Sequence, residues 1–400
     1  MIELWLTVYG DQSSPLEDPS FLLDEFENKQ NLRVRVSRMA FEEAWPKLLE
    51  FALHGGGPHV SLIGGIWTST MASMDVLRPF SVREIVSLGG ENAFYPAVWK
   101  NAITTADGVW SIPFYMFTYL VLYRKDYLAQ AGIDEASAFS NAQAMEDTVR
   151  RLKAAGIASP LILPYGPSFR ARTHLLASWI WAHGGSFISH DERSVRFTDP
   201  EAIRGMVEFF NLYRHMNPSD YGLSAAQSLE QFAKGKTAIT FAGANSQENI
   251  INSNQPEVLE NIGAAPVPGV PWFGGSNLVI WKEVRMQLVQ EQAAIDLVRF
   301  LTAPAAQIKL ANAQFSLPSR IGALSEINYL IPAYRAAVEE SIRRGQSYPP
   351  VRLWVRIMNE LINVFDLVTA DVIETHDEDI EQILLRRLKP LANRLNLMMS

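Results

Sequence analysis

The first part of the chain alternates between strand-like and helix-like spacing of apolar residues. Residues 2–9 alternate apolar and polar side chains, residues 32–36 place apolar side chains on one face, and residues 60–63 form a short apolar run, as strands do. Residues 41–53 repeat apolar side chains at helical spacing and end at a run of glycines. Such strand and helix units predict an α/β fold with a mainly parallel sheet covered by helices on both faces.

From about Val284 the pattern changes to long amphipathic helices, because apolar residues recur at three- and four-residue spacing. The predicted helices are 287–301, 305–315, 334–344, 354–369 and 377–397. A chain of 400 residues is too long for one compact core, and no repeat or low-complexity linker interrupts it. We therefore predict two lobes joined by ordered strands, with a helical C-terminus.

The stretch FAKGKTAITFAGAN at residues 232–245 contains Gly-Lys-Thr, which also ends the phosphate-binding loop of nucleotide-binding proteins. That loop requires an earlier glycine where this chain has Glu230, and it lies between a strand and the following helix. In this chain the predicted helix comes before the predicted strand, which is the reverse of that order. The pattern predicts a helix that ends at Gly235 and then a buried strand, whose end brings Asn245 to an exposed position.

Charge and cysteine content exclude several function classes. The formal net charge of −8 argues against nucleic acid as a partner, since phosphate neutralisation needs a basic face. The absence of cysteine excludes disulfides, thiolate metal sites and cysteine nucleophiles, and it is compatible with export. No apolar run is long enough to span a membrane. We predict no nucleic-acid partner and no cofactor.

The candidate catalytic motifs are incomplete. His54 and the glycines after it resemble the oxyanion loop of esterases, but no Gly-x-Ser-x-Gly nucleophile motif is present. His183 and His190 flank a glycine loop without metal-ligand spacing. We therefore predict no catalytic residue and no metal ligand. Paired carboxylates for glycoside hydrolysis are recognised by their separation in space, so the sequence leaves that alternative open.

Aromatic residues are concentrated at strand ends and loop starts. Trp67 follows a predicted strand, Tyr115 lies beside a proline, Trp272 precedes two glycines, and Trp354 begins a late helix. A sugar ring packs its apolar C–H face on an aromatic plane and needs polar partners for its hydroxyl groups, so this distribution suits carbohydrate. For each residue taken singly, core packing is an equal alternative.

Four segments together resemble the extracellular solute-binding proteins of sugar-importing ABC transporters, the family 1 type. They are LLEFALHGGGPHVSLIGGIW, GVWSIPFYMFTYLVLYRKDYLAQAGI, LEQFAKGKTAITFAG and AAIDLVRFLTAPAAQIKLANAQFSLPSR. They follow the order found in the family and spread over most of the chain. Two features differ from the family pattern: Gly64 stands where an aspartate is usual, and IDEASAFSNAQAMEDTV replaces the usual Thr-Trp-Asp/Glu motif.

The resemblance implies a two-lobed periplasmic-binding-protein fold of type II. Three crossings between the lobes are expected, near 109–114, 264–269 and 316–320. Lobe 1 would comprise residues 1–110 and 266–315, and lobe 2 residues 111–265 and 316–400. Each crossing contains proline or glycine, which suits a chain segment that leaves one sheet for another.

The resemblance also implies a function. The chain would be the substrate-binding component of an ABC importer, hold a sugar or oligosaccharide in the cleft between its lobes, and close around it by hinge motion. Its partners would be the carbohydrate and the permease subunits of the transporter, and the protein itself would be a monomer. No covalent chemistry is required. The alternatives are a carbohydrate-active enzyme with an aromatic cleft and a ligand-binding sensor for a membrane receptor.

The predicted ligand-binding residues supply aromatic faces, close backbone approach or hydrogen bonds. They are Trp67, Tyr115, Trp272, Gly274, Gly275, Asn245, Arg170 and Tyr9. Trp67 and Trp272 are the expected stacking platforms of lobe 1, with Tyr115 at the crossing. The two glycines would let the backbone approach the ligand. Asn245 and Arg170 would donate from lobe 2, and the tyrosine that ends the first strand is the weakest choice.

The resemblance places the protein in the periplasm or outside the cell, either free or lipid-anchored. We expect the natural precursor to carry a signal peptide or lipoprotein signal upstream of Ile2, with Met1 as an added start residue.

Overall fold

The structure, a computed structural model, describes residues 1–8, 18–104, 108–164, 170–253, 255–282 and 286–399. Its strands, β1 to β10 in chain order, are Ile2–Val8, Val34–Ala40, Val60–Gly64, Ile103–Thr104, Gly108–Val109, Ile112–Arg124, Ile239–Gly243, Ile262–Pro266, Phe273–Ile280 and Leu317–Pro318. Within these ranges, no helix has both the length and the apolar composition that crossing a bilayer requires.

The α-helices complete the list of elements. Numbered α1 to α18 in chain order, they are Leu23–Gln30, Phe41–His54, Thr68–Ser73, Val82–Ser87, Pro96–Trp99, Lys125–Gln130, Glu135–Ala138, Ala142–Ala154, Arg170–Ala182, Pro200–Asn211, Ala225–Ala233, Gln247–Ile251, Pro256–Glu260, Leu288–Leu301, Pro304–Gln314, Pro332–Arg344, Trp354–Glu374 and Ile380–Met399. The long C-terminal helices α14 to α18 confirm the predicted helical pattern.

The chain divides into two compact units. Unit 1 comprises Met1–Phe117, Phe273–Asn328 and Ser347–Val355, and unit 2 comprises Thr118–Trp272, Tyr329–Gln346 and Arg356–Ser400. The chain therefore changes unit after Phe117, Trp272, Asn328, Gln346 and Val355. The sequence predicted three crossings, slightly earlier along the chain, and assigned all of 316–400 to the second lobe. Two parts of that stretch, 316–328 and 347–355, belong to unit 1 instead.

Unit 1 is built on a mixed sheet with the strand order β10-β6-β9-β3-β1-β2. Strand β1 pairs in parallel with β2 and β3, whereas β9 runs antiparallel to β3 and β10 antiparallel to β6. All five residues of β3 are buried, so this strand reads in the sequence as a continuous apolar run. The pairs of β1 are therefore parallel, whereas the β3–β9 and β6–β10 pairs are antiparallel.

Local contacts explain why residues 347–355 belong to unit 1. The Ser347 hydroxyl donates a hydrogen bond to the carbonyl of Ala97 in α5, and Thr70 Oγ1 in α3 donates to the carbonyl of Arg352 at 2.8 Å. Val355 is part of the buried cluster that includes Met71 of α3. These partners are distant in sequence, so a pattern of local spacing does not reveal them.

Unit 2 contains the second half of β6, which is paired antiparallel with both β7 and β8. The residue Gly235 follows α11 with a φ of 70° and precedes β7, which confirms the predicted helix, glycine stop and strand. Helices α9 and α10 approach closely at Gly205, where an added Cβ would lie 2.5 Å from the Trp179 carbonyl oxygen. Only glycine permits that contact.

Candidate functional site

Unit 1 contains a small pocket at the end of β3. It is lined by Gly65, Ile66, Ser69, Asn101, Tyr348, Pro349, Pro350, Val351 and Trp354. Its volume is about 10 Å³, roughly the space that one water molecule needs. A larger ligand can therefore enter only if part of the lining moves. Pro349 is exposed and Ile66 and Pro350 are half-buried, so these residues form the solvent-facing part of the wall.

Each wall of the pocket comes from a different part of unit 1. Gly65 and Ile66 form a short helical turn directly after β3, and Ser69 lies in the first turn of α3. Asn101 follows α5. Tyr348 and Trp354 come from the segment 347–355, and their rings meet with centroids 4.3 Å apart. The contacts of that segment with α3 and α5 thus bring its aromatic rings to the end of β3.

A network of paired polar side chains lies beside this pocket. Asn277 of β9 donates from Nδ2 to Ser111 Oγ at 2.9 Å and to Thr68 Oγ1 at 3.3 Å. Ser276 Oγ donates to the phenol oxygen of Tyr115 at 2.9 Å. All five side chains are buried, and an internal network in which each member is paired makes its surroundings rigid. These hydrogen bonds therefore fix the residues that lie beneath the pocket at the end of β3.

Unit 2 carries a separate aromatic cluster. The rings of His174 in α9 and Trp272 stack with centroids 3.8 Å apart and an interplanar angle of 12°. Tyr119 of β6 lies beside both, 6.1 Å from Trp272 and 6.5 Å from His174. Burial, with a smaller effect from the positive charge of Arg170, lowers the pKa of His174 to about 3. His174 is therefore a neutral ring at physiological pH.

The backbone around Trp272 is held by several contacts within unit 2. Thr118 Oγ1 donates to the Trp272 carbonyl at 2.8 Å, and the Gln346 amide donates to the Pro271 carbonyl at 3.0 Å. Gly269 packs so closely on α9 that an added Cβ would lie 2.4 Å from the Ser178 carbonyl oxygen. The loop before β9 is therefore fixed on α9 at the place where Trp272 meets His174.

The structure gives the predicted aromatic platforms interior positions. Trp67 is 1% exposed and packs in the core of unit 1, with its ring 5.7 Å from that of Trp45. Tyr115 is also 1% exposed, and its phenol belongs to the polar network beside the pocket. Trp272 is 6% exposed, and it belongs to unit 2 rather than to the first lobe. The three rings are therefore less exposed than expected, but Trp354 in the pocket is equally buried, so as ligand contacts these residues stay predictions.

The two predicted glycines belong to strand β9, and as ligand contacts they stay predictions. Gly274 is buried. Gly275 has a φ of 150°, and an added Cβ would lie 2.0 Å from the Tyr115 carbonyl oxygen. The close backbone approach at Gly275 is therefore to strand β6 of the protein itself.

The remaining predicted residues stay predictions as ligand contacts. Asn245 is half-buried in the turn that follows β7, and Arg170 is the half-buried first residue of α9. Tyr9 lies outside the described residues. Arg170 is close enough to His174 to affect its pKa, so it belongs to the surroundings of the aromatic cluster of unit 2.

The structure adds pocket residues that the sequence analysis did not select. These are Ser69, Asn101 and Tyr348; Trp354 was noticed as an aromatic helix start but was not chosen. The sequence SYPPVRLW carries a usable signal, because a Pro-Pro pair between two aromatic residues indicates a rigid, partly exposed segment. Ser69 and Asn101 have no comparable signal.

Comparisons with known proteins agree with this architecture. The model of the bacterial extracellular solute-binding protein family matches residues 22–329. The sugar-binding protein MalE from Xanthomonas citri is 22% identical, with a TM-score of 0.79 over 100% of this chain and 99% of that chain. A solute-binding protein of an ABC transporter from Thermotoga lettingae, solved with α-D-tagatose, is 18% identical, with a TM-score of 0.78 over the same shares.

A third solved structure, maltose-bound MalE3 of T. maritima, is 18% identical, with a TM-score of 0.77 over 98% of this chain and 99% of that chain. Among curated proteins, no sequence matches this chain. Because the family model covers more than half of the chain, the protein belongs to the bacterial extracellular solute-binding protein family. Its fold is the α/β fold of two-lobed periplasmic binding proteins such as MalE.

Proposed function

We propose that this protein is the substrate-binding component of an ABC importer and that its ligand is a sugar or oligosaccharide. The observation that carries the proposal is the pocket of unit 1, where Tyr348 and Trp354 lie beside the polar side chains of Ser69 and Asn101. Aromatic planes and neutral hydrogen-bonding groups are the two partners that a sugar ring needs. The sugars in the related structures support the same ligand class.

The proposal is tested by calorimetric titration of the wild-type protein with a panel of monosaccharides and oligosaccharides, followed by a Trp354→Leu variant. Leucine keeps the site apolar but removes the aromatic plane. We expect the affinity for the best sugar to fall about fivefold, since an aromatic contact contributes about 1 kcal/mol and a factor of ten corresponds to about 1.4 kcal/mol.

The matched control is Trp281→Leu. Trp281 is a buried tryptophan of unit 1 that donates to Ser61 Oγ at 2.9 Å and is not among the pocket residues. It should lose stability but keep the sugar affinity of its folded fraction. The proposal fails if no sugar in the panel binds, or if Trp354→Leu binds as tightly as the wild-type protein.

We further propose that the protein binds its sugar without cleaving it, works outside the cytoplasm and delivers the ligand to permease subunits. Its membership of an extracellular solute-binding family supports all three points. Chromatography of a confirmed ligand after long incubation should show no shorter product. Addition of the protein to vesicles that contain the transporter should start ATP-dependent uptake; a protein that serves a receptor as a sensor would bind the sugar and start no uptake.

A further inference from the structure

The pocket of unit 1 is lined by two polar residues whose side chains form no hydrogen bond with any other described residue. Ser69 is 5% exposed and Asn101 is 8% exposed, and both line the pocket. Within the described ranges, neither the Ser69 hydroxyl nor the Asn101 side-chain amide forms a hydrogen bond; Asn277 reaches only the backbone carbonyl of Asn101, at 3.5 Å. Neither residue is among those whose unpaired polar atoms are fully enclosed, so their polar groups are open at the pocket and available to a ligand.

The neighbouring polar groups do not compete for that role. Asn277 is already paired with Ser111 and Thr68, and Ser276 is paired with Tyr115. Their hydrogen bonds fix the residues that lie beneath the pocket. Ser69 and Asn101 therefore remain as a hydroxyl and an amide, which together can donate to and accept from the hydroxyl groups of a ligand.

The pocket lining is also uncharged. The described residues around Ser69 and Asn101 are glycine, proline, isoleucine, valine, tyrosine and tryptophan, and none of them carries a formal charge at neutral pH. An ionised group of a ligand would lose its hydration here without gaining a partner of opposite charge. That loss is severe for carboxylates and ammonium groups and small for hydroxyls, which Ser69 and Asn101 can satisfy.

We infer that this pocket selects an uncharged sugar ring, with Asn101 and Ser69 as the residues that determine specificity. The inference rests on the proposed carbohydrate-binding function and narrows it to neutral sugars. Among the described residues of the lining none could pair with a charge, so uronic acids and amino sugars should bind weakly at this position. Asn101 contributes both a donor and an acceptor to the ring, and Ser69 contributes one hydroxyl group.

The test compares ligands that differ only in charge. The best neutral sugar from the panel is titrated beside the uronic acid and the 2-amino sugar of the same configuration. At neutral pH the wild-type protein should bind the neutral sugar at least about tenfold more tightly than either charged form, the discrimination expected when a charged group would be left unpaired. Asn101→Leu and Ser69→Ala should each lower the affinity for the neutral sugar, and the effect of Asn101→Leu should be larger.

A charge variant provides the decisive comparison. Asn101→Asp keeps the shape of the side chain and adds a carboxylate, so it should favour the 2-amino sugar over the neutral sugar by about tenfold relative to the wild-type protein and weaken the uronic acid further. The control is Asn249→Asp, which makes the same change at an exposed position in α12. It should leave the order of affinities unchanged.

The outcomes distinguish a failure of the specificity inference from a failure of the proposed function. If a neutral sugar binds but its uronic acid binds equally well, or if Asn101→Asp leaves the order of affinities unchanged, the specificity inference is wrong and carbohydrate binding stands. If no sugar of any charge binds to the wild-type protein, the proposed function is wrong and the inference fails with it. The melting temperature of every variant shows whether it is folded.

Discussion

Two tryptophans with almost no exposed surface have different surroundings. Trp354 is 1% exposed and forms one wall of a pocket, next to side chains that can bind hydroxyl groups. Trp272 is 6% exposed, and one face of its ring is covered by His174 at 3.8 Å. Burial alone therefore does not separate a proposed ligand contact such as Trp354 from a ring packed on a neighbour such as Trp272, but the surrounding side chains differ.

We expect Trp272→Ala to behave as a core substitution. Removal of a buried tryptophan side chain leaves a cavity, and such changes cost about 3–5 kcal/mol of unfolding free energy. Denaturant titration of the unliganded protein measures this loss directly. An unliganded variant as stable as the wild-type protein, with sugar affinity reduced, would contradict this expectation and support the prediction that Trp272 is a ligand platform.

His174 should give the protein a measurable dependence of stability on pH. Its pKa is lowered from 6.5 to about 3, mainly by burial, so the unfolded chain binds a proton more readily than the folded protein does. Its contribution is fully present above about pH 6.5 and is lost as the pH falls toward 3. Denaturant titrations at several pH values should show that His174→Phe reduces this slope.

The control for that measurement is His190→Phe, because His190 is exposed in a turn of unit 2. It should keep the slope of the wild-type protein. Equal slopes for His174→Phe and the wild-type protein between pH 6.5 and 4 would contradict the lowered pKa of His174.

At the scale of elements, the contact between β6 and β9 depends on one glycine. An added Cβ at Gly275 would lie 2.0 Å from the carbonyl oxygen of Tyr115, and the φ of 150° is unfavourable for other residues. We expect Gly275→Ala to lower the unfolding free energy by about 3 kcal/mol or more, because both strands would have to move. Gly57→Ala is the control, since its added Cβ would meet the Phe51 side chain at an ordinary 3.4 Å. Similar denaturation midpoints for both variants would disprove the requirement for glycine.

The segment 347–355 should be held in unit 1 partly by Thr70. Thr70→Val removes the donor to the Arg352 carbonyl and keeps the shape of the side chain, at a cost of about 0.5–1.5 kcal/mol. Hydrogen exchange followed by mass spectrometry should show faster exchange in this segment and weaker sugar binding. Ser73→Ala, which removes a hydroxyl within the same helix, should change neither, because Ser73 donates to the Thr70 carbonyl. Unchanged exchange in Thr70→Val would show that other contacts hold the segment.

Elements with a strong local pattern were predictable from the sequence, and those held by distant partners were not. Helix α14 was expected at 287–301 and spans Leu288–Leu301, and the helix, Gly235 and strand before Asn245 were also predicted correctly. The segment 347–355 was assigned to the wrong unit, because its partners in α3 and α5 lie more than two hundred residues earlier. Ser69 and Asn101 were missed for the same reason. Their proposed role rests on their place in the pocket, which depends on contacts between distant parts of the sequence.

At the scale of the whole molecule, neither unit is a continuous stretch of chain. Unit 1 is assembled from three stretches and unit 2 from three. Two elements extend across the boundaries: strand β6 has residues up to Phe117 in unit 1 and later ones in unit 2, and helix α17 begins with Trp354 and Val355 of unit 1 and continues in unit 2. The same helix start supplies the aromatic wall of the pocket. The pocket wall therefore includes the start of α17, a helix whose residues are divided between the two units.

This connectivity leads us to expect a single cooperative unfolding transition. If unit 1 unfolds, it loses the first half of β6 and the first two residues of α17, and each loss leaves the rest of the same element in unit 2 without its continuation. Differential scanning calorimetry should show one peak, with equal calorimetric and van't Hoff enthalpies. A bound sugar at a hundredfold excess over its Kd should shift that peak as a whole, since it adds about 2.7 kcal/mol to the folded state. Two peaks, of which the sugar moves only one, would show that the units unfold independently in spite of the elements they share.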